Sequence, residues 1–139
     1  MAIRVESGPW TRLAEPARAI RYRVFVEEQS VPVALEWDDL DATALHLLAW
    51  EGDEAVGTAR LLPSGQVGRM AVLPPWRGRG VGRALMETVI DRATERGMER
   101  LFLHAQVHAI PFYARFGFEA VGPEFVEADI PHREMVLDL

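Results

Sequence analysis

The sequence predicts a mixed α/β fold of the α+β kind, in which helices pack against one sheet. Seven short stretches have the composition of strands, two longer stretches repeat apolar residues at helical spacing, and the two kinds alternate along the chain. No repeat or linker divides the 139 residues, of which 49% are hydrophobic and 26% charged. We therefore expect a single domain over residues 1–139 with its own core.

The first half of the chain is predicted to hold a strand, a helix and a hairpin. Ile3–Glu6 alternates apolar and charged residues, as a half-buried strand does. Apolar residues recur every three or four positions in Thr11–Phe25, which predicts an amphipathic helix. Leu45–Glu51 and Ala55–Leu62 are strand-like and are joined by the tight turn Gly52-Asp53, so we expect them to pair as a β-hairpin.

The second half begins with the strand Gln66–Leu73, which is followed by two prolines, a glycine-rich turn and a long helix. Apolar residues one turn apart from Val81 to Ala93 predict that helix, and Gly97 suits its C-terminal end. The remaining predicted elements are the strand Leu101–Ala105, the short helix Ile110–Phe116 and the strands Phe118–Val121 and Glu134–Leu137.

Composition excludes several classes of site. The chain has no cysteine, which rules out disulfides, thiolate metal sites and a cysteine nucleophile, and all fifteen basic residues are arginine, which rules out a P-loop or Schiff-base lysine. A net charge of −6 disfavours nucleic acid as a partner. No apolar run could span a bilayer, and the N-terminus lacks the apolar region of a signal peptide. We therefore expect a cytoplasmic protein without a membrane partner.

A local excess of positive charge points to a small anionic ligand. Arg69, Arg77, Arg79 and Arg83 lie within fifteen residues that contain no acidic residue. The alternative is an ordinary solvated face, but glycines are interleaved with these arginines. A cationic, glycine-rich segment favours a phosphate-containing ligand.

The turn before the long helix has the features of a phosphate-binding loop. The first N–H groups of a helix lack partners within the helix, and glycines let an anion approach them closely. A P-loop would need a lysine, and a Rossmann turn would need the spacing G-x-G-x-x-G, whereas Gly78, Gly80 and Gly82 are spaced G-x-G-x-G. A flexible connection is the alternative interpretation of this turn.

Two motifs carry a resemblance to a known family. Arg77, Gly80 and Gly82 match the signature Q/R-x-x-G-x-G/A by which the GNAT superfamily of acyltransferases binds acyl-CoA. The segment 109–118 resembles the family's A-x-x-F-Y-x-x-x-G-F motif, and 69–74 resembles the strand that leads into the signature. Segments 23–29 and 125–133 resemble the ElaA-like or YjcF-like branch.

The resemblance implies a GNAT-like domain with a mostly antiparallel sheet, flanked by helices, that splays open between strands four and five. It implies acetyl-CoA as the acyl donor, with the pantetheine arm along the backbone of Met70 and Val72 and the pyrophosphate at the N–H groups of residues 78–83. Gln106 stands where the family often has asparagine. The residues expected to contact acetyl-CoA are Met70, Ala71, Val72, Arg77, Gly78, Arg79, Gly80, Val81, Gly82, Arg83, Gln106 and Phe112.

The resemblance also implies the chemistry of an N-acetyltransferase in which an amine attacks the thioester directly. Tyr113 matches the general acid that protonates the departing thiolate, although a tyrosine packed in the core is the structural alternative. The N–H of Val72 is expected to polarise the thioester carbonyl. Glu28 and His104 are candidate bases, and no metal site is expected, because the spacing of His104 and His108 does not fit one helix face.

The acceptor is the least defined part of the prediction. The acidic stretch with Glu36, Asp38 and Asp41 either attracts a cationic amine or is a solvated surface loop. We expect acetyl-CoA and an amine acceptor as partners, and a homodimer by analogy with the fold. The alternative functions are an acyl-CoA hydrolase or O-acyltransferase and a non-catalytic CoA-binding module.

Overall fold

The computed structural model describes residues 2–139, so Met1, which belongs to the predicted domain, lies outside the described residues. Strands and helices alternate much as the sequence predicts. The strands are β1 Arg4–Pro9, β2 Leu45–Glu51, β3 Glu54–Leu61, β4 Gln66–Val72, β5 Arg100–Gln106, β6 Glu119–Glu127 and β7 Ile130–Asp138. The helices are α1 Trp10–Arg21, α2 Val33–Glu36, α3 Val81–Glu95 and α4 Ile110–Ala114, with a π-helical segment at Tyr22–Glu28.

The seven strands form one mixed sheet in the order β1-β2-β3-β4-β5-β7-β6. All neighbours are antiparallel except β4 and β5, which run parallel and are joined through α3. These two strands pair only at Gln66 with Phe102 and at Val67 with Leu103 and then separate. The expected α/β fold, with a sheet that splays between the fourth and fifth strands, is confirmed.

Helices cover both faces of the sheet. Neighbouring residues of β2 point to opposite faces: Leu47 packs in the cluster that contains Leu85 of α3, and Leu48 packs in the cluster that contains Leu13 of α1. All four side chains are 2% exposed or less. The apolar spacing that predicted the two helices is therefore the pattern that buries them.

The first helix changes its geometry where the sequence predicts an uninterrupted helix over Thr11–Phe25. Regular α-helix ends at Arg21, and in the π-helical segment the N–H of Gln29 donates to the carbonyl of Val24, five residues earlier. The wider turn accommodates one more residue than an α-turn, which an apolar spacing of three and four cannot reveal.

The last two strands extend well beyond the predicted Phe118–Val121 and Glu134–Leu137. They run to a two-residue turn, Ala128-Asp129, in which both residues have positive φ, 50° and 62°. Such a turn usually contains asparagine or glycine, so its sequence gives no hairpin signal here. No helix in the part of the chain from residue 2 onward is both long and apolar enough to cross a membrane.

Replacing Ala128 by glycine is expected to raise the free energy of unfolding by about 0.5–1 kcal/mol. Alanine in a left-handed conformation carries a steric penalty that glycine lacks, and this outweighs the entropy that glycine loses on folding. Urea denaturation measures the difference. The matched control is Ala120→Gly in the extended part of β6, which should lower stability. A loss of stability in both variants would contradict the prediction.

Candidate active site

The separation of β4 from β5 opens a cleft of about 1060 Å³. Its walls come from β4, the glycine-rich turn, the end of β5, α4, the β6–β7 hairpin and the segment that follows α1. Of the predicted acetyl-CoA contacts, the cleft is lined by Met70, Ala71, Val72, Arg77, Gly78, Gly80, Val81, Gly82, Arg83, Gln106 and Phe112. It is also lined by Tyr113, Glu28, His104, Glu36 and Asp38, whereas Arg79 and Asp41 are not among its lining residues.

The glycine-rich turn presents a run of free main-chain donors. Gly78 and Gly80 have φ of 75° and 85°, and a Cβ on either would meet nothing within 4 Å. Within residues 2–139, the six consecutive N–H groups from Gly78 to Arg83 have no hydrogen-bond acceptor. Because Gly80 has no capping side chain and the first turn of α3 has no acidic residue, these donors remain available to an anion.

Close packing between α3 and α4 positions Tyr113. A Cβ on Gly82 would lie 3.2 Å from the ring of Phe112, a contact so short that the ring would have to shift slightly. The Tyr113 ring meets those of Phe112 and Phe118 edge to face, at centroid distances of 5.1 and 6.3 Å. The ring is thus held by core residues at the wall of the cleft.

The Tyr113 phenol is a neutral donor at physiological pH. Burial in an apolar environment disfavours the phenolate and raises the pKa of Tyr113 to about 12. The described residues include no hydrogen-bond partner for its hydroxyl. The hydroxyl therefore keeps its proton and is free to donate it within the cleft.

Strand β4 turns an unpaired edge toward the cleft. The N–H of Leu73 donates to the carbonyl of Val56 on β3, so the main-chain groups of Val72, and of Met70 one pleat earlier, face away from β3. The Val72 carbonyl accepts a hydrogen bond of 2.9 Å from Nε of Arg77. The N–H groups of this edge remain open where β5 no longer pairs.

Three of the four arginines of the predicted cationic patch are ion-paired, and the same three line the cleft. Arg77 holds both carboxylate oxygens of Glu28 at 2.7 Å, Arg69 pairs with Glu36, and Arg83 pairs with Glu87. Two of the three partners lie more than thirty residues away in sequence, so inspection of residues 69–83 alone cannot find them.

Glu28 is a weak base in this arrangement. The hydrogen bonds from Arg77 are the largest influence on its carboxylate and lower the pKa of Glu28. The same bond raises the pKa of Arg77. The pair connects the π-helical segment to the glycine-rich turn and leaves neither carboxylate oxygen of Glu28 free for proton transfer.

Of the two alternatives for the acidic stretch, the solvated surface loop is wrong, because Glu36, Asp38 and Asp41 belong to an ion-pair network, part of which lines the cleft. Arg21 donates to Glu36 and Asp41, and Arg60 donates to Asp38 and Asp41. Glu36 and Asp41 are only 3% and 5% exposed. Burial is the largest influence on Glu36 and raises its pKa, against the opposing hydrogen bond from Arg21. The side chains predicted to attract an amine thus already have cationic partners.

A polar wall faces β4 across the cleft. Nδ1 of His104 lies 2.9 Å from a carboxylate oxygen of Glu127, and its Nε2 lies 3.9 Å from Glu134. The side-chain amide of Gln106 donates to Gln29 at 2.9 Å. His132, opposite Gln106 on β7, also lines the cleft. Sequence reasoning misses His132 because the strand that carries it is predicted to begin only at Glu134.

Within residues 2–139, no group of three or more His, Asp or Glu side chains is arranged to hold a metal ion. His104 instead pairs with the carboxylate of Glu127.

Comparison with known proteins places these features in a family. A model of the acetyltransferase (GNAT) domain matches residues 14–139. The uncharacterized N-acetyltransferase YjcF of Bacillus subtilis is 35% identical over 123 residues, which cover 86% of this chain and 88% of YjcF. The protein ElaA of Escherichia coli is 35% identical over 128 residues, which cover 86% of this chain and 84% of ElaA.

Solved structures agree with the sequence comparison. The crystal structure of an acyl-CoA N-acyltransferase from Pseudomonas aeruginosa superposes with a TM-score of 0.87 at 31% identity, covering 97% of this chain and 99% of that one. The crystal structure of E. coli ElaA superposes over the same shares of the two chains, with a TM-score of 0.88 and 31% identity.

Proposed function

Because the chain belongs to the GNAT acetyltransferase family, in the branch of YjcF and ElaA, we propose that it transfers an acetyl group from acetyl-CoA to a primary amine. One observation carries the proposal: Gly78 and residues 80–83, whose N–H groups are free, line the same cleft as Tyr113, whose hydroxyl has no partner among the described residues. The first set suits a diphosphate, and the second suits a leaving thiolate.

The glycine-rich turn would hold the diphosphate of the coenzyme. Main-chain donors at the start of α3 combine with the helix dipole to favour an anion. Gly78 and Gly80 leave open the space into which their Cβ atoms would project, so phosphate oxygens can reach the backbone. Arg79 and Arg83 add positive charge near the turn. Nε of Arg77 instead donates a hydrogen bond to the carbonyl of Val72.

The pantetheine arm would lie along the free edge of β4. Met70 and Val72 present main-chain groups there in place of the missing β5 neighbour, so an amide-containing arm can pair with them as an added strand does. Ala71, Gln106 and Phe112 line the same stretch of the cleft. When bound, acetyl-CoA supplies the activated acyl group as a thioester.

Two groups of the cleft would then take part in the acetyl transfer. The N–H of Val72 stabilises the negative charge that develops on the carbonyl oxygen as the amine attacks. Tyr113 donates its proton to the sulfur as the carbon–sulfur bond breaks. Burial raises the pKa of Tyr113 to about 12, and the same apolar surroundings also raise the pKa of the departing thiol, which reduces the mismatch between the two groups.

Of the two bases predicted from the sequence, His104 suits the role better than Glu28. Glu28 is clamped by Arg77 through both oxygens. The hydrogen bond of His104 to Glu127 places the proton on Nδ1 and leaves Nε2 as an acceptor. Glu36 and Asp41 would have to break buried ion pairs before they could bind an amine.

Release of free thiol from acetyl-CoA, measured with and without a panel of primary amines, tests the proposed function. Release that requires an amine, with the acetylated amine as product, is the expected result. Release without any amine would identify a hydrolase, and acetylation of alcohols in place of amines would identify an O-acyltransferase. Binding of acetyl-CoA without release would identify a non-catalytic CoA-binding module. Each of these three results contradicts the proposal.

The pH profile of kcat/KM should show no descending limb up to at least pH 10.5, whichever ascending limbs the acceptor amine and the general base contribute. A phenol with a pKa of about 12 remains protonated over this range, so the general acid is not lost. An unperturbed tyrosine, with a pKa of about 10, would begin to lose activity there. Initial rates between pH 6 and 10.5 measure the profile, and a descending limb centred near pH 10 would contradict the raised pKa.

A further inference from the structure

We propose that His132 is the general base that removes the proton from the acceptor amine, an inference that rests on the proposed function. His132 is 8% exposed and is the third residue of β7, directly opposite Gln106 at the end of β5. Residues opposite each other in an antiparallel pair share a face of the sheet, so both side chains lie on the wall that faces β4.

The hydrogen bond of His132 determines which of its nitrogens can act. Nδ1 lies 2.6 Å from the carbonyl oxygen of Ile130, and a carbonyl can only accept, so Nδ1 carries the hydrogen. In the neutral ring, Nε2 then holds the lone pair. The described residues provide no partner for Nε2, which is not sealed from solvent and belongs to a side chain that lines the cleft.

Packing holds the imidazole of His132 in place. Its ring stacks on Phe125 at a centroid distance of 5.9 Å, and Phe125 in turn meets His104 edge to face at 5.1 Å. Two imidazoles therefore flank one phenylalanine on the same wall. A base fixed in this way needs no reorientation when the amine arrives.

His132 is better placed than His104 to serve as the base. The side chain of His104 is 31% exposed and has Glu127 on one nitrogen and Glu134 near the other. His132 is nearly excluded from bulk water, and its Nε2 has no competing carboxylate. It also lies beside the end of β5. Helix α4, which carries Tyr113, begins only a few residues after that strand.

The proton balance closes with two groups of the chain. The protonated amine first transfers one proton to Nε2 of His132, and the neutral nitrogen then forms a bond to the carbonyl carbon and releases its second proton to solvent. The carbon–sulfur bond breaks, and the sulfur takes the proton of the Tyr113 hydroxyl. Solvent then returns a proton to Tyr113 and removes one from His132, so no oxidant or further reactant is needed.

The test compares His132→Asn with wild type on two kinds of acceptor. The asparagine amide can still donate to the carbonyl of Ile130, but the variant has no counterpart of Nε2. Turnover with an alkylamine, which is protonated at neutral pH, should fall by about 100-fold or more. Turnover with hydroxylamine, whose nitrogen is uncharged at neutral pH, should fall much less, whereas a merely structural role would lower both equally.

His104→Asn tests the competing assignment, because it removes the other imidazole of the same wall, and His108→Asn is the matched control, because His108 lines the cleft but has no part in the proposed mechanism. The difference between the two acceptors should appear in His132→Asn and be absent from His108→Asn. His132→Gln gives a second variant if the first is unstable, and calorimetric binding of acetyl-CoA checks that each is folded.

An equal loss with both acceptors, or a loss confined to His104→Asn, would overturn the role of His132 while leaving the transferase activity intact. If the wild-type protein acetylates no amine, the proposed function is contradicted, and with it the role of His132 that depends on this function. The wild-type measurement therefore separates the two failures.

Discussion

Replacing Arg21 by methionine is expected to lower the free energy of unfolding by about 3–5 kcal/mol, the usual cost of removing one partner from a buried ion pair. Arg21 is 1% exposed and donates to Glu36 and Asp41, both of which are buried. Its guanidinium also lies between the rings of Trp10 and Trp37, at 5.4 and 5.1 Å. Methionine fills much of the same volume but leaves the carboxylates without this partner.

Thermal and urea denaturation of Arg21→Met measure the loss, with Arg12→Met as the matched control. Arg12 lies on the same helix and is also ion-paired, to Glu6, but its side chain is 55% exposed. Exposed pairs contribute about 0–1 kcal/mol, so the control should be nearly as stable as wild type. If the two variants lose stability equally, the buried network does not stabilise the fold as described.

The Tyr113→Phe variant should lose turnover by one or more orders of magnitude while keeping its stability and its affinity for acetyl-CoA. The ring contacts with Phe112 and Phe118 do not involve the hydroxyl, and the hydroxyl has no hydrogen-bond partner in the described part of the chain. Its removal therefore leaves no buried group unpaired. Only the proton donated to the departing thiolate is lost.

Steady-state kinetics measure the loss of turnover, and calorimetric titration measures the affinity for acetyl-CoA. The control is Tyr22→Phe, because Tyr22 is the other of the chain's two tyrosines and is 43% exposed. Normal turnover in Tyr113→Phe would remove Tyr113 from the mechanism. A matching fall in Tyr22→Phe would show that the assay responds to something other than the acid.

Sequence patterns within a few residues were sufficient to predict the parts of the site that come from one continuous segment of the chain. Strand β4, the glycine-rich turn and α3 are contiguous, and their apolar spacing and glycines act within a few residues. The wide gap between β4 and β5 followed from the resemblance, not from periodicity, because strand separation depends on which strands are neighbours.

Several missed features depend on partners distant in the chain. Arg21 finds Glu36 and Asp41 fifteen and twenty residues later, and Glu28 finds Arg77 forty-nine residues later, so neither pair leaves a local pattern. The role proposed for His132 depends on a hairpin whose turn residues, Ala128 and Asp129, carry no usual turn signal.

Calorimetric titration of CoA and of S-acetylpantetheine tests the central claim most directly, because the second compound keeps the pantetheine arm, in acetylated form, but lacks the diphosphate and the phosphorylated adenosine attached to it. If the free N–H groups of residues 78–83 bind the diphosphate, CoA should bind saturably at one site, and S-acetylpantetheine should bind far more weakly. Absence of CoA binding, or equal affinity for the two compounds, would contradict the account.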